Sequence, residues 1–130
     1  PLLGGQQTTG AFAMDFLTDG KTGIVVGGDY ANDTLRTGNC ALTTDGGRNW
    51  KPATTAPFGY RSGVTFITTK WLAATGTSGT DLSEDGGQNW YNLDKTGYNT
   101  VKKRGDGRSA ILAGNHGKIA ILTLSGAGKK

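Results

Sequence analysis

Two short stretches gather acid, amide and hydroxyl groups. Residues 43–50 read Thr-Thr-Asp-Gly-Gly-Arg-Asn-Trp, and residues 83–90 read Ser-Glu-Asp-Gly-Gly-Gln-Asn-Trp. Asp45 and Asp85 invite reading as a carboxylate pair, and a retaining glycosidase would need its two carboxyls about 5–5.5 Å apart. The octads, however, are copies offset by forty residues (43 to 83). That places the two acids in equivalent turns of neighbouring units, too far apart to share a substrate. Turn chemistry accounts for them better. Each Asp can fold its carboxylate onto backbone N–H groups, and Thr43 and Ser83 offer hydroxyls to the same network. Gly47 and Gly87 permit positive φ, while Trp50 and Trp90 bury a large ring beside the turn.

The other reactive side chains stand apart. His116, the one histidine, sits in Gly114-Asn-His-Gly117, with no paired cysteine or histidine to build a metal site or a base–nucleophile pair. Cys40, the one cysteine, excludes an internal disulfide and reads as a buried, inert thiol. Tyr60 and Arg61 follow Pro57-Phe-Gly59 and are placed beside an innermost strand, where Arg61 could offer its fork to an anion. Arg104 is read at a comparable position. The segment Asp29–Asn39 is longer than a usual hairpin connection. Its Asp29, Tyr30, Asn32, Asp33 and Arg36 could hydrogen-bond a peptide or a sugar, and their spacing fits no EF-type calcium loop. Asn32-Asp-Thr34 is also a glycosylation sequon. Arg104-Gly-Asp106 falls where Asp-Gly suits a hairpin turn. Gly126–Lys130 lacks the first half of a phosphate-binding loop. No catalytic residue, metal or cofactor is assigned.

Short strands must position these groups. The 130 residues include 23 glycines and only 3 prolines, a composition for tight turns rather than long helices. Apolar runs rich in Val, Ile, Thr, Phe and Trp predict strands near 11–17, 22–28, 39–44 and 49–54. A second set falls near 62–67, 70–75, 80–84 and 89–93, and a third near 99–104, 109–113 and 118–124. The chain is therefore expected to be all-β. A forty-residue period with four strands per unit is the signature of a propeller blade. Blades are expected at 11–54, 55–94 and 95–125, the third stopping before an octad of its own. Residues 1–10 are read as a linker or the outer strand of a preceding blade. Rings close with about 4–8 blades, so about three imply further blades from the same or another chain. The start at Pro1 reads as a processed form, an excised domain or a fragment.

The formal net charge is +4. The cluster Lys102, Lys103 and Arg104 lacks the dense basic stripe of a nucleic-acid binder, and no apolar run approaches membrane-spanning length.

The matches at Thr43, Asp45, Gly47 and Trp50, and at Ser83, Asp85, Gly87 and Trp90, resemble the BNR or Asp-box repeat, Ser/Thr-x-Asp-x-Gly-x-x-Trp. The wider text, including Val25-Val-Gly-Gly-Asp-Tyr30 and Phe58-Gly-Tyr-Arg-Ser-Gly63, is most similar to photosystem II stability/assembly factor-like propellers. Sialidases and sortilin-type receptors share the repeat. The resemblance implies a β-propeller whose boxes are structural hairpins away from any active site, and an extracytoplasmic setting. Sialidases bind their substrate carboxylate with an arginine cluster, of which only Arg61 and Arg104 have counterparts here. The expected function is a non-catalytic module recognising a protein or glycan partner. The alternative is a sialidase-like glycoside hydrolase whose channel site lies partly in blades outside this chain.

Overall fold

Glycine-punctuated runs of small and β-branched residues can pair only as short strands, and they do so throughout the computed structural model, in which residues 2–125 are described. The reading of Gly126–Lys130 lies outside them. The first antiparallel sheet contains β1 (Thr9–Phe16), β2 (Gly23–Asp29), β3 (Cys40–Thr43) and β4 (Lys51–Pro52), in that spatial order. The second contains β5 (Gly63–Phe66), β6 (Leu72–Gly76), β7 (Gly79–Ser83) and β8 (Trp90–Asp94). The third has three strands, β9 (Thr100–Lys103), β10 (Ser109–Ala113) and β11 (Ile119–Thr123). The chain is all-β, built as consecutive blades with the sequence-adjacent meander of a propeller.

Two strand ends differ from expectation for identifiable reasons. Thr9 and Gly10 belong to β1, because Thr9 pairs with Asp29 and Gly10 with Gly28. The ladder then slips between Ala11 and Ala13, a bulge that re-aims Phe12. The fourth strand of the first blade shrinks to two residues. Pro52 has no N–H to contribute to a ladder, so pairing ends there.

The blades stack through two apolar seams. Ile24, Val26 and Cys40 of the first blade pack with Val64, Phe66, Leu72, Ala74 and Trp90 of the second. Ala73 and Leu82 on the other side of the second blade meet Val101, Ala110, Leu112 and Leu124. Alternation makes this possible: Ala73 and Ala74 point to opposite faces and so serve different seams. Each buried Leu, Ile or Val contributes about 1.5–3 kcal/mol relative to exposure. Cross-strand pairs recur in register from blade to blade, Ile24 with Leu42, Ala73 with Leu82, and Ile111 with Ile121. The first two pairs face the next blade. Ile111 and Ile121 are exposed, on the outer side of the third blade.

The innermost strands run in the same direction. Phe66 N donates to Asp15 Oδ2 (2.9 Å), and Lys103 N donates to Thr65 Oγ1 (3.0 Å). The turns 17–22, 67–71 and 104–108 therefore share one end of the stack with the two octads. Gly46 N bonds Lys21 O (3.0 Å) and Gly86 N bonds Lys70 O (2.9 Å), which ties each octad to its own blade's inner turn. The opposite end carries the loop between β2 and β3 and the linker from β4 to β5.

The octads fold as self-contained turns. In the first, Thr43 Oγ1 donates to Asp45 Oδ1 (2.8 Å) and accepts from Gly47 N (3.0 Å). Asn49 donates its backbone N–H to Asp45 Oδ1 (2.9 Å) and its amide to Asp45 Oδ2 (2.7 Å). Trp50 Nε1 closes the turn on Gly47 O (2.9 Å). The second octad repeats these bonds through Ser83, Asp85, Gly87, Asn89 and Trp90. Gly47 and Gly87 both have φ of 95°, the region glycine enters without steric cost.

These donors act on the acid. The Asn49 amide, then its backbone N–H and the Thr43 hydroxyl, hold the Asp45 carboxyl at about 2. A depressed folded-state value means the turn's contribution is fully present above the ordinary carboxylate range and fades as pH falls toward 2. Asn49→Ala should move the Asp45 titration midpoint upward toward 3.8, read by NMR of the side-chain carboxyl. An unmoved midpoint would remove the amide from this role.

Candidate functional site

The loop from Asp29 to Asn39 does not project freely into solvent. It folds across the seam between the first two blades and is held there by the second. Asp33 is the clamp. Its carbonyl accepts from Tyr60 N (2.9 Å) and Ser78 Oγ (2.7 Å), and its Oδ2 accepts from Thr77 Oγ1 (2.6 Å). Gly59 lies so close to that carbonyl that any Cβ would collide with it. Arg36 lies with Cζ 3.7 Å from the Phe58 ring centroid and donates to Pro57 O (3.2 Å) and Ala56 O (2.6 Å). Asn39, fully buried, donates to Pro57 O and Gly59 O, both at 2.9 Å. Two side chains from one edge of the loop thus satisfy linker carbonyls that no ladder reaches.

Arg61 and Asp81 lie beneath the linker. Arg61 Nε donates to Asp81 Oδ2 at 2.7 Å, and both side chains are fully buried. Arg61 Nη1 also donates to Tyr60 O (2.9 Å) and Ser78 Oγ (3.0 Å). Asp81 takes further bonds from Phe58 N (2.9 Å) and Asn92 Nδ2 (3.0 Å). The sequence places Arg61 beside an innermost strand, as a side chain that could offer its fork to an anion. It is instead an interior residue with an internal carboxylate. Arg104 cannot join it, because Arg104 follows β9 at the octad end while Arg61 precedes β5 at the loop end.

The outward surface is aromatic. Tyr30, half exposed, and Tyr60, buried, meet Phe12, which is also exposed. Phe12 packs edge-on against Tyr60 (centroids 5.1 Å) and Tyr30 (5.9 Å), and Tyr30 against Tyr60 (6.1 Å). The three rings are nearly perpendicular to one another, an arrangement favoured by ring quadrupoles. Desolvation raises the Tyr60 hydroxyl above its ordinary value. Beside the rings, Asp29 Oδ1 accepts from Ala31 N (2.9 Å), and Asn32 N caps the same turn on Asp29 O (3.0 Å).

Of the seven residues expected to bind, the structure brings Asp29, Tyr30 and Asn32 to one surface with Tyr60 beneath, and turns Asp33, Arg36 and Arg61 into the brace that fixes it. Sequence reasoning missed Phe12, Asn39, Ser78 and Asp81. Only Phe12 left a signal, as an aromatic beside a Gly-rich strand start. His116 is exposed in a tight turn at the end of β10, with φ of 62°. Cys40 is buried in the first seam, and burial pushes its thiol up to about 12, far from the thiolate a nucleophile requires.

No protein-family model and no curated protein sequence matches the chain. Among solved structures it is similar to one described as YCF48 bound to D1 peptide, with a TM-score of 0.68 and 26% identity, over 92% of this chain and 39% of that one. The chain thus spans about two fifths of the length of that protein. Its three sheets are consecutive blades of a β-propeller resembling the photosystem II assembly factor YCF48.

Proposed function

We propose that this chain forms part of a non-catalytic β-propeller that binds a protein partner at the loop end, on the surface made by Phe12, Tyr30, Asp29 and Asn32. The observation that carries this reading is the exposed aromatic cluster on a loop braced by Asp33, Arg36 and Asn39. Rigid exposed Tyr and Phe side chains are the usual energetic anchors of protein interfaces, because they bury much area while losing little side-chain freedom. The brace supplies preorganisation, which lowers the cost of ordering on binding. The similar protein YCF48 has been solved with a D1 peptide, in keeping with a polypeptide ligand for this kind of scaffold. The glycosidase alternative draws nothing from Asp45 and Asp85, whose carboxylates are engaged within their own turns.

The test is a peptide-display selection on the full chain, followed by affinity measurement with purified Phe12→Ala/Tyr30→Ala. Selected peptides should bind the double variant at least about tenfold more weakly, a lower bound for the loss of two interface anchors. Unchanged affinity for every selected peptide would move the binding surface elsewhere.

A further inference from the structure

The two octads share their internal bonds but differ at the outer edge. The second octad is occupied there by Thr54 and Thr55, which follow β4. Thr54 N and Thr55 N both donate to Gln88 O (2.8 and 3.0 Å), and Trp90 N donates to Thr55 O (3.1 Å). Thr55 Oγ1 donates to Asn89 Oδ1 (2.7 Å), and Thr55 and Asn89 form a parallel bridge. Trp90, behind this strip, is 3% exposed.

The counterparts at the first octad are Arg48 O, Trp50 N–H and Asn49 Oδ1. Among the described residues none bonds to any of the three, and Trp50 is only half-buried. The chain's own equivalent of Thr54–Thr55 is directed elsewhere. Gly10 lies against Gly27 as Tyr60 lies against Gly76, so Gly4 and Gly5 hold the corresponding chain position. They are exposed, and the neighbouring Leu3 N bonds Gly38 O (2.8 Å) at the loop end.

We infer that the first octad is an open receptor for an extended polypeptide segment. The ligand class is read from the filled copy: two consecutive backbone N–H donors for Arg48 O, a carbonyl for Trp50 N–H, and a hydroxyl side chain for Asn49 Oδ1. The binding mode is edge addition, in which main-chain bonds supply affinity and one side chain supplies register. A second copy of this chain does not supply the segment from the same residues, since its Thr54–Thr55 is engaged with its own second octad. The occupant is a hydroxyl-bearing extended segment of a partner protein, since the chain's own Gly4–Gly5 carries no hydroxyl and the adjoining Leu3 is held at the loop end. The site lies at the opposite end of the stack from the aromatic surface and is independent of it.

The test is an NMR titration of the full chain with the acetylated, amidated peptide Lys-Pro-Ala-Thr-Thr-Ala-Pro-Phe, the sequence of residues 51–58. Saturable shifts are expected at Arg48, Asn49 and Trp50, with Kd of about 1 mM, as suits a handful of main-chain bonds. N-methylation of both threonine amides removes the two donors and should weaken binding at least about tenfold. Replacing the second threonine by valine should weaken it about threefold, keeping shape while losing the hydroxyl. Equal binding of the N-methylated peptide, shifts confined to Gln88–Trp90 or to β11, or no shift at several times the expected Kd would each overturn the assignment.

Discussion

Arg61→Ala is expected to destabilise the protein by about 3–5 kcal/mol, because it leaves Asp81 charged and buried without its partner. Both side chains are fully buried and joined at 2.7 Å. The remaining donors to Asp81, Phe58 N and Asn92 Nδ2, cannot supply a compensating charge. Asp81→Ala should cost a similar amount, since it strands the guanidinium. The double variant Arg61→Ala/Asp81→Ala should cost much less than the sum, because no unpaired charge remains. Urea denaturation of the four proteins closes this cycle. Additive losses would mean that the pair does not act as a unit. Arg61→Ala should also loosen the loop of the first blade, since Arg61 Nη1 holds Ser78 Oγ and the carbonyl of Tyr60, and both Ser78 Oγ and the Tyr60 N–H donate to Asp33 O.

The same octad should yield two different energies. Trp90→Ala is expected to cost about 3–5 kcal/mol, the range for truncating a well-packed aromatic side chain. Trp90 is buried in the first seam, its indole N–H bonds Gly87 O (2.8 Å), and its backbone N–H bonds Thr55 O (3.1 Å). Trp50→Ala removes the same side chain from the same motif, with the indole bond to Gly47 O (2.9 Å) and an edge contact to Phe16 at 6.3 Å. Lacking full burial and the outer strip, it should cost about 1–2 kcal/mol, since part of its apolar area already meets water. Equal losses at the two positions would show that the outer strip adds nothing to the octad and would weaken the case for a receptor at the first.

The octads were legible because their chemistry is local. Thr43, Asp45, Gly47, Asn49 and Trp50 satisfy one another within eight residues, so spacing alone carries the geometry. The strands were legible for the same reason, as alternating apolar runs between glycines. The brace was not. Arg61 and Asp81 lie twenty residues apart, Asn39 reaches Pro57 and Gly59, and Asp33 reaches Thr77 and Ser78. Asp33, Asn39 and Arg61 taken singly look like polar loop residues, and it is partners distant in sequence, across the blade junction for Asp33 and Asn39 and within the second blade for Arg61, that turn them inward. Phe12 escaped notice because the bulge between Ala11 and Ala13 breaks the alternation from which its direction would be read. The fourth strand of the first blade was drawn too long because the run from Asn49 to Thr54 hides the effect of Pro52 on the ladder.

Neighbouring inner strands meet through side chains, Asp15 reaching Phe66 N and Thr65 reaching Lys103 N, while among the described residues each sheet closes within its own blade and only linker and loop bonds, such as Thr54 N to Gln88 O, cross the junction. Copy number in such an architecture is consequently a matter of surface fit rather than of strand pairing. Duplication or deletion of one whole forty-residue unit would exchange one seam for an equivalent one and cut no ladder. Such an architecture can lengthen or shorten in whole-blade steps, whereas a change of half a blade would leave a strand edge unpaired.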